Sequence, residues 1–335
     1  MQSTKAGLKY DYPPMEAQLV DKLPTGEEWQ YEPKWDGFRC IAFREYDEIE
    51  LRSKSGQSLT RYFPEVVDSL SKLKAKKFVL DGELVIRHGD EFSFDSLLQR
   101  IHPAQSRVRK LSDETPASFI VFDLLVSEEG KSIVYEDLSK RRQRLEKFAG
   151  KFLNKNRSII LSPVAYCLDD ANLWLANTGA FLDGVIAKNL SLPYQSGNRK
   201  GMMKMKRMRT ADCVVGGFRY GTRSNLVGSL LLRLYDDEGG LHHIGFTSSL
   251  ADKENKELTE KLEKLKTTKS FAENIPGGPS RWSTERSAEW VPLKPKLVVE
   301  VRYDHFTCGR FRHGTKLLRW RPDKSPKQCT LEQIH

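Results

Sequence analysis

The pattern of apolar residues changes near residue 210, and this change limits the folds that the 335-residue chain can adopt. Before it, apolar runs of strand length alternate with helical patterns: runs at 79–86, 119–126 and 182–188, and helical patterns at 63–73, 92–102 and 137–151. After it, glycine-rich turns separate four strand-like runs, at 213–218, 228–235, 241–247 and 297–303. A charged helix predicted at 251–267 interrupts them, with Leu258, Leu262 and Leu265 on one face. We predict an α+β chain in which a mixed domain at 1–208 precedes a small β-barrel of the OB-fold type at 209–335.

Composition excludes several classes of protein. Hydrophobic residues make up 39% of the chain, too many for a mostly disordered protein. No apolar stretch approaches the ~18 to 20 residues that span a bilayer, and the first residues lack the apolar core of a signal peptide. We therefore predict a soluble, cytoplasmic protein with no membrane partner. The only loop-like stretch of low complexity is 274–280.

The cysteines indicate the redox compartment of the protein, and the net charge indicates the charge of its partner. The cysteines are scattered and odd in number, with no Cys-x-x-Cys pair: Cys40, Cys167, Cys213, Cys308 and Cys329. This argues against a disulfide framework and a zinc site and favours a reducing compartment. The formal net charge is +10, which points toward an anionic partner without identifying it.

Lys34 is the strongest candidate for chemistry. It lies in YEPKWDGFR at 31–39, between a proline and an Asp-Gly turn, close to an acid and an arginine. A protonated lysine is a poor nucleophile, and burial or neighbouring positive charge favours its neutral form. The turn would hold Lys34 against a bound molecule. A solvent-exposed turn lysine is the alternative that the tetrapeptide alone leaves open.

Three carboxylates accompany this lysine in the sequence. Asp81 and Glu83 are two residues apart and so share one face of a predicted strand. Asp183 begins another strand, which ends in Lys188. Such hard oxygen ligands hold Mg²⁺ loosely, and substrate phosphates complete its coordination. Alone, either segment is also compatible with a strand flanked by a turn.

Two basic segments suit phosphate binding. The segment 198–210 carries six basic residues and no acid, and Lys204 and Lys206 alternate with two methionines at strand spacing. Paired lysines suit a triphosphate, and the remaining charge suits a nucleic-acid backbone, although a solvated linker remains an alternative. The segment 302–324 has seven Lys and Arg against two acids and ends in RWRPDK. Its last cations could grip a polyphosphate or a DNA strand.

In order and spacing, these segments resemble the motifs of the covalent nucleotidyltransferase superfamily, which includes ATP-dependent DNA ligases, RNA ligases and mRNA capping enzymes. KWDG at 34–37 is similar to the nucleophile motif, DGE at 81–83 to the third motif, and FIVFDLL at 119–125 to the aromatic motif that follows. DGVIAK at 183–188 and MKMK at 203–206 are similar to the fourth and fifth motifs, and RWRPDK at 319–324 to the RxRxDK motif.

Four longer runs narrow the resemblance to compact bacterial DNA ligases of the C type and to the ligase domain of the D type. They are EPKWDGFR, TRYFPE, RTADCVVGGFRYG and FRHGTKLLRWRPDK. The resemblance implies an adenylation (nucleotidyltransferase) domain followed by an OB-fold domain. It also implies a monomer that uses ATP and Mg²⁺ or Mn²⁺ to seal 5′-phosphate/3′-hydroxyl nicks in duplex DNA, in repair at the nucleoid.

The resemblance also implies roles for individual residues. Lys34 would attack ATP, assisted by Asp36 and Arg39. The other ATP-binding residues would be Glu32 and Phe122 at the adenine, Glu83 at the ribose or metal, and Arg39, Lys188, Lys204 and Lys206 at the phosphates. Glu83 and Asp183 would hold the metal. The first step would also use four residues of the OB domain: Arg319, Arg321, Asp323 and Lys324. DNA would contact Lys54, Arg199, Lys200, Arg207, Arg209, Arg310 and Arg312.

Two departures from the family pattern affect these roles. The fourth motif often begins with Glu and here begins with Asp183, which reaches less far toward a metal. The motif after the nucleophile usually reads Ser-Arg-x-Gly, but Lys54 replaces the arginine here and lacks its planar fork. An RNA ligase or a guanylyl-transferring capping enzyme remains an alternative. A non-catalytic nucleic-acid-binding module is a second, although the joint presence of so many motif residues argues against it.

Overall fold

The computed structural model describes residues 8–89, 91–154, 156–176, 182–221, 224–248, 250, 255–268, 290–307 and 309–334. The chain separates into two compact units, Met1–Arg207 and Met208–His335. Among the described residues, no helix combines the length and apolar character needed to cross a membrane.

The first unit contains two β-sheets. Its strands are β1 (Gln18–Leu19), β2 (Trp29–Trp35), β3 (Phe38–Glu45), β4 (Glu48–Ser53), β5 (Lys77–His88), β6 (Glu91–Phe92), β7 (Ala117–Val126), β8 (Ile159–Leu161), β9 (Leu182–Asn189) and β10 (Met202–Met205). Sheet A has the order β4–β3–β5–β7–β8, with β6 paired to β5. Sheet B has the order β1–β10–β9–β2. Neighbouring strands are antiparallel except in the pairs β1–β10 and β7–β8.

Helices cover the outer faces of the two sheets. They are α1 (Pro64–Ser71), α2 (Phe94–Arg100), α3 (Gln105–Glu114), α4 (Leu138–Phe152) and α5 (Leu168–Ala176). One core joins α1 and α4 to sheet A through Leu70, Phe78 and Phe148, and another joins α5 to sheet B through Ala171 and Val185. Pro64 is the first residue of α1, a position where its missing amide proton removes no helical hydrogen bond.

Sheet A buries both of its faces. Cys40 and Ala42 of β3 belong to the helix-side core, whereas Ile41 and Phe43 pack with Tyr194 and other residues on the opposite side. Successive residues of a strand point to opposite faces, so an uninterrupted apolar run is what a doubly covered strand requires. This arrangement accounts for the apolar run in β7.

The second unit is a strongly bent sheet with one packed helix. Its elements are β11 (Arg209–Tyr220), β12 (Val227–Tyr235), β13 (Leu241–Thr247), α6 (Asn255–Glu263), β14 (Val291–Pro292), β15 (Val298–Tyr303), β16 (Phe306–Thr307), β17 (Arg310–Phe311) and β18 (Lys316–Trp320). The strand order is β13–β12–β11–β15–β18, with β14 on β11 and a separate β16–β17 hairpin. A single parallel bridge between Thr247 and Thr315 joins the two ends of the sheet; within the described part of the chain, no full ladder closes it.

The predicted elements of the second unit are present as far as the described residues extend. All four predicted strands form, and β13 has the predicted limits. The predicted helix at 251–267 is shorter, because α6 covers 255–263 and residues 251–254 lie outside the described residues. Leu262 is buried in the core of this unit, and Leu258 and Leu265 pack against it, so the apolar face is confirmed. The predicted loop at 274–280 also lies outside the described residues.

The four cysteines that the structure describes are free thiols, as expected for a chain without a disulfide framework. Cys40, Cys213 and Cys329 are buried free thiols, and Cys167 is an exposed one. Cys308 lies outside the described residues. Burial raises the pKa of both Cys40 and Cys213 well above the ordinary thiol value, so neither is poised as a thiolate.

His243 makes the second unit sensitive to acid. Burial, assisted by the charges of Arg310, Arg233 and Arg219, lowers the pKa of His243 to about 3. In the unfolded chain this histidine takes up a proton below about pH 6.5, whereas in the folded chain it stays neutral until about pH 3. The unfolded state therefore binds more protons in this window, and stability falls as the pH is lowered.

We expect His243→Gln to remove part of this acid sensitivity. The histidine contributes a slope of at most about 1.4 kcal/mol per pH unit between pH 6 and pH 4. Urea unfolding of both proteins across this range measures the difference. His88→Gln, at an exposed position, is the matched control. Parallel stability–pH curves for the original protein and the His243 variant would contradict the assignment.

Candidate active site

A cavity of about 190 Å³ opens in the first unit between residues of sheet A and sheet B. Its walls come from β2, β9 and β10 on one side and from β3, β5 and β7 on the other. Eight of the residues predicted for the site line it: Glu32, Lys34, Arg39, Lys54, Glu83, Phe122, Lys188 and Lys204. Residues as far apart in sequence as Glu32 and Lys204 are thus gathered around one space large enough for part of a nucleotide.

Lys34 lies near the end of β2, at an irregular point of sheet B. Lys34 pairs with Gly184, but the next residue, Trp35, pairs with Leu182. Asp183 is therefore an extra residue on β9, and such a β-bulge redirects a side chain out of the regular ladder. The bulge explains why Asp183 meets Lys34 instead of following the alternation of its strand.

Two glycines make this local geometry possible. A Cβ atom at Gly37 would lie 2.1 Å from the carbonyl oxygen of Leu84, and one at Gly184 would lie 2.0 Å from that of Met205. Gly184 also has a φ of +138°, which side-chain-bearing residues rarely adopt. Close backbone contacts therefore require glycine at both positions, Gly37 after β2 and Gly184 in β9.

One acid, Asp183, and two further lysines, Lys204 and Lys206, lie around the end of Lys34. The Nζ atom of Lys34 contacts Oδ2 of Asp183, and the Nζ atom of Lys206 lies 3.1 Å from the same oxygen. Burial and the charges of Lys34 and Lys206 lower the pKa of Lys204. Met203 and Met205 pack against the core between sheet B and α5, so the predicted alternation of β10 is confirmed.

Arg39 is held in place by a buried carboxylate. Its Nε and NH2 atoms donate to the two oxygens of Asp81 at 2.6 and 2.7 Å, and the side chain of Asp81 is fully buried. The Tyr194 hydroxyl donates to Asp81 at 2.6 Å as well. The acid that precedes Glu83 by two residues therefore orients the guanidinium of Arg39 at the cavity wall.

Glu83 has a different environment from Asp81. It lines the cavity, and burial raises its pKa to about 7 against the opposing charges of Arg39 and Lys34. Because this pKa lies near neutrality, an approaching cation or hydroxyl group can shift the carboxyl group of Glu83 between its charged and protonated forms. Strongly shifted groups of this kind are concentrated at functional sites.

Glu32, Lys188 and Phe122 form the deepest part of the cavity. The Nζ atom of Lys188 lies 2.8 Å from Glu32, and the Gln30 side-chain amide donates to the same carboxylate at 2.8 Å. Lys188 and Arg39 also lie over the Phe122 ring, at 4.4 and 4.6 Å from its centre. Both distances lie within the range of cation–π attraction. In this state Lys188 is held by Glu32 and the ring, so it would have to turn to reach a phosphate.

The carboxylates around Lys34 suit a hard divalent cation. Carboxylate oxygens of Asp36 and Asp183 lie within 4.8 Å of each other. Glu83 is close enough for the charges of both Lys34 and Asp36 to act on it. Oxygen donors are the ligands that Mg²⁺ prefers, and Mg²⁺ usually keeps water and phosphate in its remaining positions. The donor set therefore fits the expected metal.

Sequence reasoning did not predict several residues of the cavity wall, among them Ile186, Met202 and the segment 14–17. Ile186 lines the cavity two residues before Lys188 on β9, and this period-two spacing could have identified it. The segment 14–17, which we call the wall segment, also lines the cavity. No local pattern marks this segment as part of a site, because long-range hydrogen bonds hold it in place.

Two of the four DNA-binding residues predicted in the first unit share one partner. Lys54 and Arg199 contact the same acid, Glu16 of the wall segment, although they lie 145 positions apart. Lys200 and Arg207 are exposed. Lys54 also lines a second cavity, beside the first, together with Gly37, Arg39, Ser53, Ser55 and Glu83.

In the second unit, acids of the sheet hold the cations of the last predicted motif. Arg321 NH1 lies 2.9 Å from Asp212 and Lys324 Nζ lies 2.7 Å from the same carboxylate. Asp323 contacts Arg321 at 2.8 Å, and Arg319 contacts Glu300 at 2.6 Å. The motif is therefore an ordered ion-pair network anchored on β11 and β15, and no simple signal in the sequence identified Asp212 and Glu300 as its partners.

The remaining predicted DNA contacts of the second unit lie at two places, the start of β11 and the β17 region. Arg209 begins β11 opposite Tyr303 of β15, Arg310 begins β17, and Arg312 follows it. All three are partly exposed.

Family models match both units of the chain. The model described as "ATP dependent DNA ligase domain" matches residues 14–206, and the one described as "ATP dependent DNA ligase C terminal region" matches residues 223–324. The first match alone covers more than half of the chain and contains every residue that lines the cavity.

Similar proteins carry related names. DNA ligase C of Mycobacterium tuberculosis is 39% identical, with 96% of this chain and 93% of that protein covered. The multifunctional non-homologous end joining protein LigD of Mycobacterium bovis is 31% identical, with 91% of this chain and 38% of that protein covered. Among solved structures, mycobacterial DNA ligase D complexed with ATP and MES is 28% identical, with a TM-score of 0.50 and coverage of 96% of this chain and 98% of that one.

Proposed function

The chain belongs to the ATP-dependent DNA ligases, and we propose that it carries out their reaction through a lysyl–AMP intermediate on Lys34. It is an enzyme of α+β fold that uses ATP to seal nicks in DNA. The observation that carries the assignment of residues is the position of Lys34. Its side chain reaches the cavity wall, contacts Asp183, and is surrounded by cations suited to a triphosphate.

In the first step, Lys34 acts as the nucleophile. Its Nζ atom loses a proton and forms a bond to the α-phosphorus of ATP, and the bond from that phosphorus to pyrophosphate breaks. To attack, Lys34 must leave Asp183, which then still has Lys206 as a partner. Arg39, Lys204 and, after turning, Lys188 stabilise negative charge on the phosphates. Glu32 and Phe122 bind the adenine.

Asp183 and Glu83 are the metal ligands in this proposal, with Asp36 next to Asp183. A bound Mg²⁺ would neutralise charge on the phosphates and orient them for in-line displacement. The proximity of Asp36 and Asp183 and the near-neutral pKa of Glu83 support the proposal.

The later steps transfer AMP and then release it. An oxygen of the 5′-phosphate of DNA attacks the phosphorus of lysyl–AMP, and Lys34 leaves. The 3′-hydroxyl then attacks the activated 5′-phosphate, which forms the phosphodiester bond and releases AMP. The protein contributes mainly position and positive charge to both displacements. Arg319, Arg321, Asp323 and Lys324 belong to the first step: the three cations bind the leaving pyrophosphate, and Asp323 orients Arg321 through their ion pair.

Nicked duplex DNA is the proposed substrate of a monomeric enzyme acting at the nucleoid. Its phosphates would contact seven basic residues: Lys54, Arg199, Lys200, Arg207, Arg209, Arg310 and Arg312. Each neutralised phosphate releases condensed counterions, so affinity depends strongly on salt. Six or more such contacts predict a loss of roughly 10³-fold in affinity between 50 and 200 mM salt.

Fluorescence anisotropy with a labelled nicked duplex measures this salt dependence. We expect Arg199→Ala to reduce the slope of log affinity against log salt by about one unit. Arg144→Ala, at an exposed position paired with Glu136, is the control and should leave the slope unchanged. A flat salt dependence of the original protein would refute the proposed DNA surface.

One assay tests the whole proposal. The protein is mixed with Mg²⁺, α-labelled ATP and a nicked duplex, and both labelled protein and joined strand are measured. Parallel reactions contain labelled GTP or a nicked RNA duplex, which a capping enzyme or an RNA ligase would use. We expect label on the protein from ATP and joining of DNA. Absence of both products would refute the function.

A further inference from the structure

Hydrogen bonds hold the wall segment in place. The Met15 amide donates to the Tyr194 hydroxyl at 2.9 Å, and the Met15 carbonyl accepts from Arg39 at 3.3 Å. The Glu16 amide donates to the Asn198 carbonyl at 2.8 Å. Tyr194 and Arg39 are themselves bonded to Asp81, so the segment is tied to the buried network of the site.

The side chain of Glu16, a residue of the cavity wall, joins two cations. Its Oε1 atom lies 3.2 Å from Lys54 Nζ, and its Oε2 atom lies 3.2 Å from Arg199 NH2. Arg199 Nε is 3.3 Å from Oε2 as well, so the arginine presents two donors to one oxygen. The hydrogen bond from Lys54 lowers the pKa of Glu16, which is therefore a carboxylate at neutral pH.

The same two cations are suited to a phosphate. Arg and Lys bind carboxylate and phosphate oxygens with the same donors, and a phosphate monoester carries about −1.5 to −2 charge at pH 7 against −1 for a carboxylate. Lys54 also borders the second cavity, next to Arg39 and Glu83. An anion that enters there competes with Glu16 for Lys54.

We propose that Glu16 is an internal competitor for the DNA phosphate: its carboxylate holds Lys54 and Arg199 in the empty enzyme, and the 5′-phosphate of the nick displaces it. This inference rests on the proposed phosphate-binding role of Lys54. Sealing converts the monoester into a diester with one negative charge, which competes less well with the carboxylate. Glu16 therefore lowers the affinity for substrate and promotes release of the sealed product.

Binding of two nicked duplexes tests this competition. One duplex carries a 5′-phosphate at the nick and the other a 5′-hydroxyl; both have a 3′-dideoxy end and are measured in EDTA, which prevents all chemistry. We expect Glu16→Gln to bind the phosphorylated nick roughly 3- to 10-fold more tightly, the worth of two exposed ion pairs. Binding to the hydroxyl nick should change less than twofold, because this duplex has no 5′-phosphate at the nick to compete with Glu16 for the two cations.

Glu128→Gln is the matched control, since it removes one negative charge from an exposed pair with Lys151 in the same unit. It should not favour the phosphorylated nick. In a Lys54→Ala background, Glu16→Gln should lose at least half of its effect, because one of the two displaced cations is missing.

Two results would overturn the inference. An equal gain on both nicks would mean that Glu16 acts only through general charge, and weaker binding of the phosphorylated nick would mean that Glu16 orients the cations for DNA. Failure of the proposed function is distinguishable, because it would remove the labelled adduct and the joined strand from the unaltered protein. If the unaltered protein forms the adduct and joins DNA, but Glu16→Gln binds the phosphorylated nick no more tightly than the unaltered protein does, only this inference is refuted.

Discussion

Lys34→Ala is expected to abolish the labelled enzyme–AMP adduct while the protein remains folded and still binds nicked DNA. The amine is the atom that bonds to phosphorus, so no neighbouring group replaces it when it is removed. Lys206 also contacts the Asp183 carboxylate, but it lies just after β10 and not beside the Lys34 position on β2. The measurement is gel analysis after incubation with α-labelled ATP and Mg²⁺.

Lys34→Arg sharpens this test. Arginine keeps a positive charge next to Asp183 but is not deprotonated in proteins, so it should also form no adduct. Thermal unfolding within a few degrees of the original protein would show that both variants fold. An adduct in Lys34→Ala would show that another residue is the nucleophile and would refute the assignment of the site.

Asp123→Ala is expected to lower the free energy of unfolding by about 3–5 kcal/mol, the typical result of leaving a buried charge without its partner. Arg141 of α4 donates to both oxygens of Asp123 at 2.9 Å, and both side chains are almost fully buried. The Leu124 amide donates to Asp123 as well. The alanine variant would leave the guanidinium of Arg141 buried without its carboxylate, bonded to the backbone carbonyls of Glu136 and Leu192.

An exposed ion pair provides the comparison for Asp123. Glu136→Gln weakens the contact with Arg144, whose side chain is 45% exposed, and should cost less than about 1 kcal/mol. Urea unfolding monitored by circular dichroism measures both variants. A loss below 1 kcal/mol for Asp123→Ala would show that the buried pair contributes little beyond its own desolvation cost.

Charge and strand spacing were enough to predict which charged residues of the first unit lie together. Lys34, Asp183, Lys204 and Lys206 were predicted from charge and spacing, and the structure brings Lys34 and Lys206 to the same Asp183 oxygen. The partners of these residues were harder to predict. Which acid pairs with which cation depends on contacts between distant strands, as for Asp81 with Arg39, and no local pattern encodes that choice.

The strand that carries the nucleophile illustrates a second limit. Pro33 made the segment before Lys34 resemble a turn, since proline lacks the amide proton that a central strand needs. In the structure, Pro33 lies in β2, which is the last strand of sheet B, and edge strands tolerate proline. Helix α3 was missed for another reason: it buries only Val108 and Ser112, too little to create a visible apolar period.

The extra residue that β9 carries opposite Lys34 has a consequence for how this enzyme can diverge. Substitution of a cavity residue leaves the pairing of β2 with β9 unaltered, whereas deletion of Leu182 would restore regular alternation and turn the Asp183 carboxylate to the other side of the sheet. Changes of chain length at this point should therefore be far rarer among active relatives than changes of residue type.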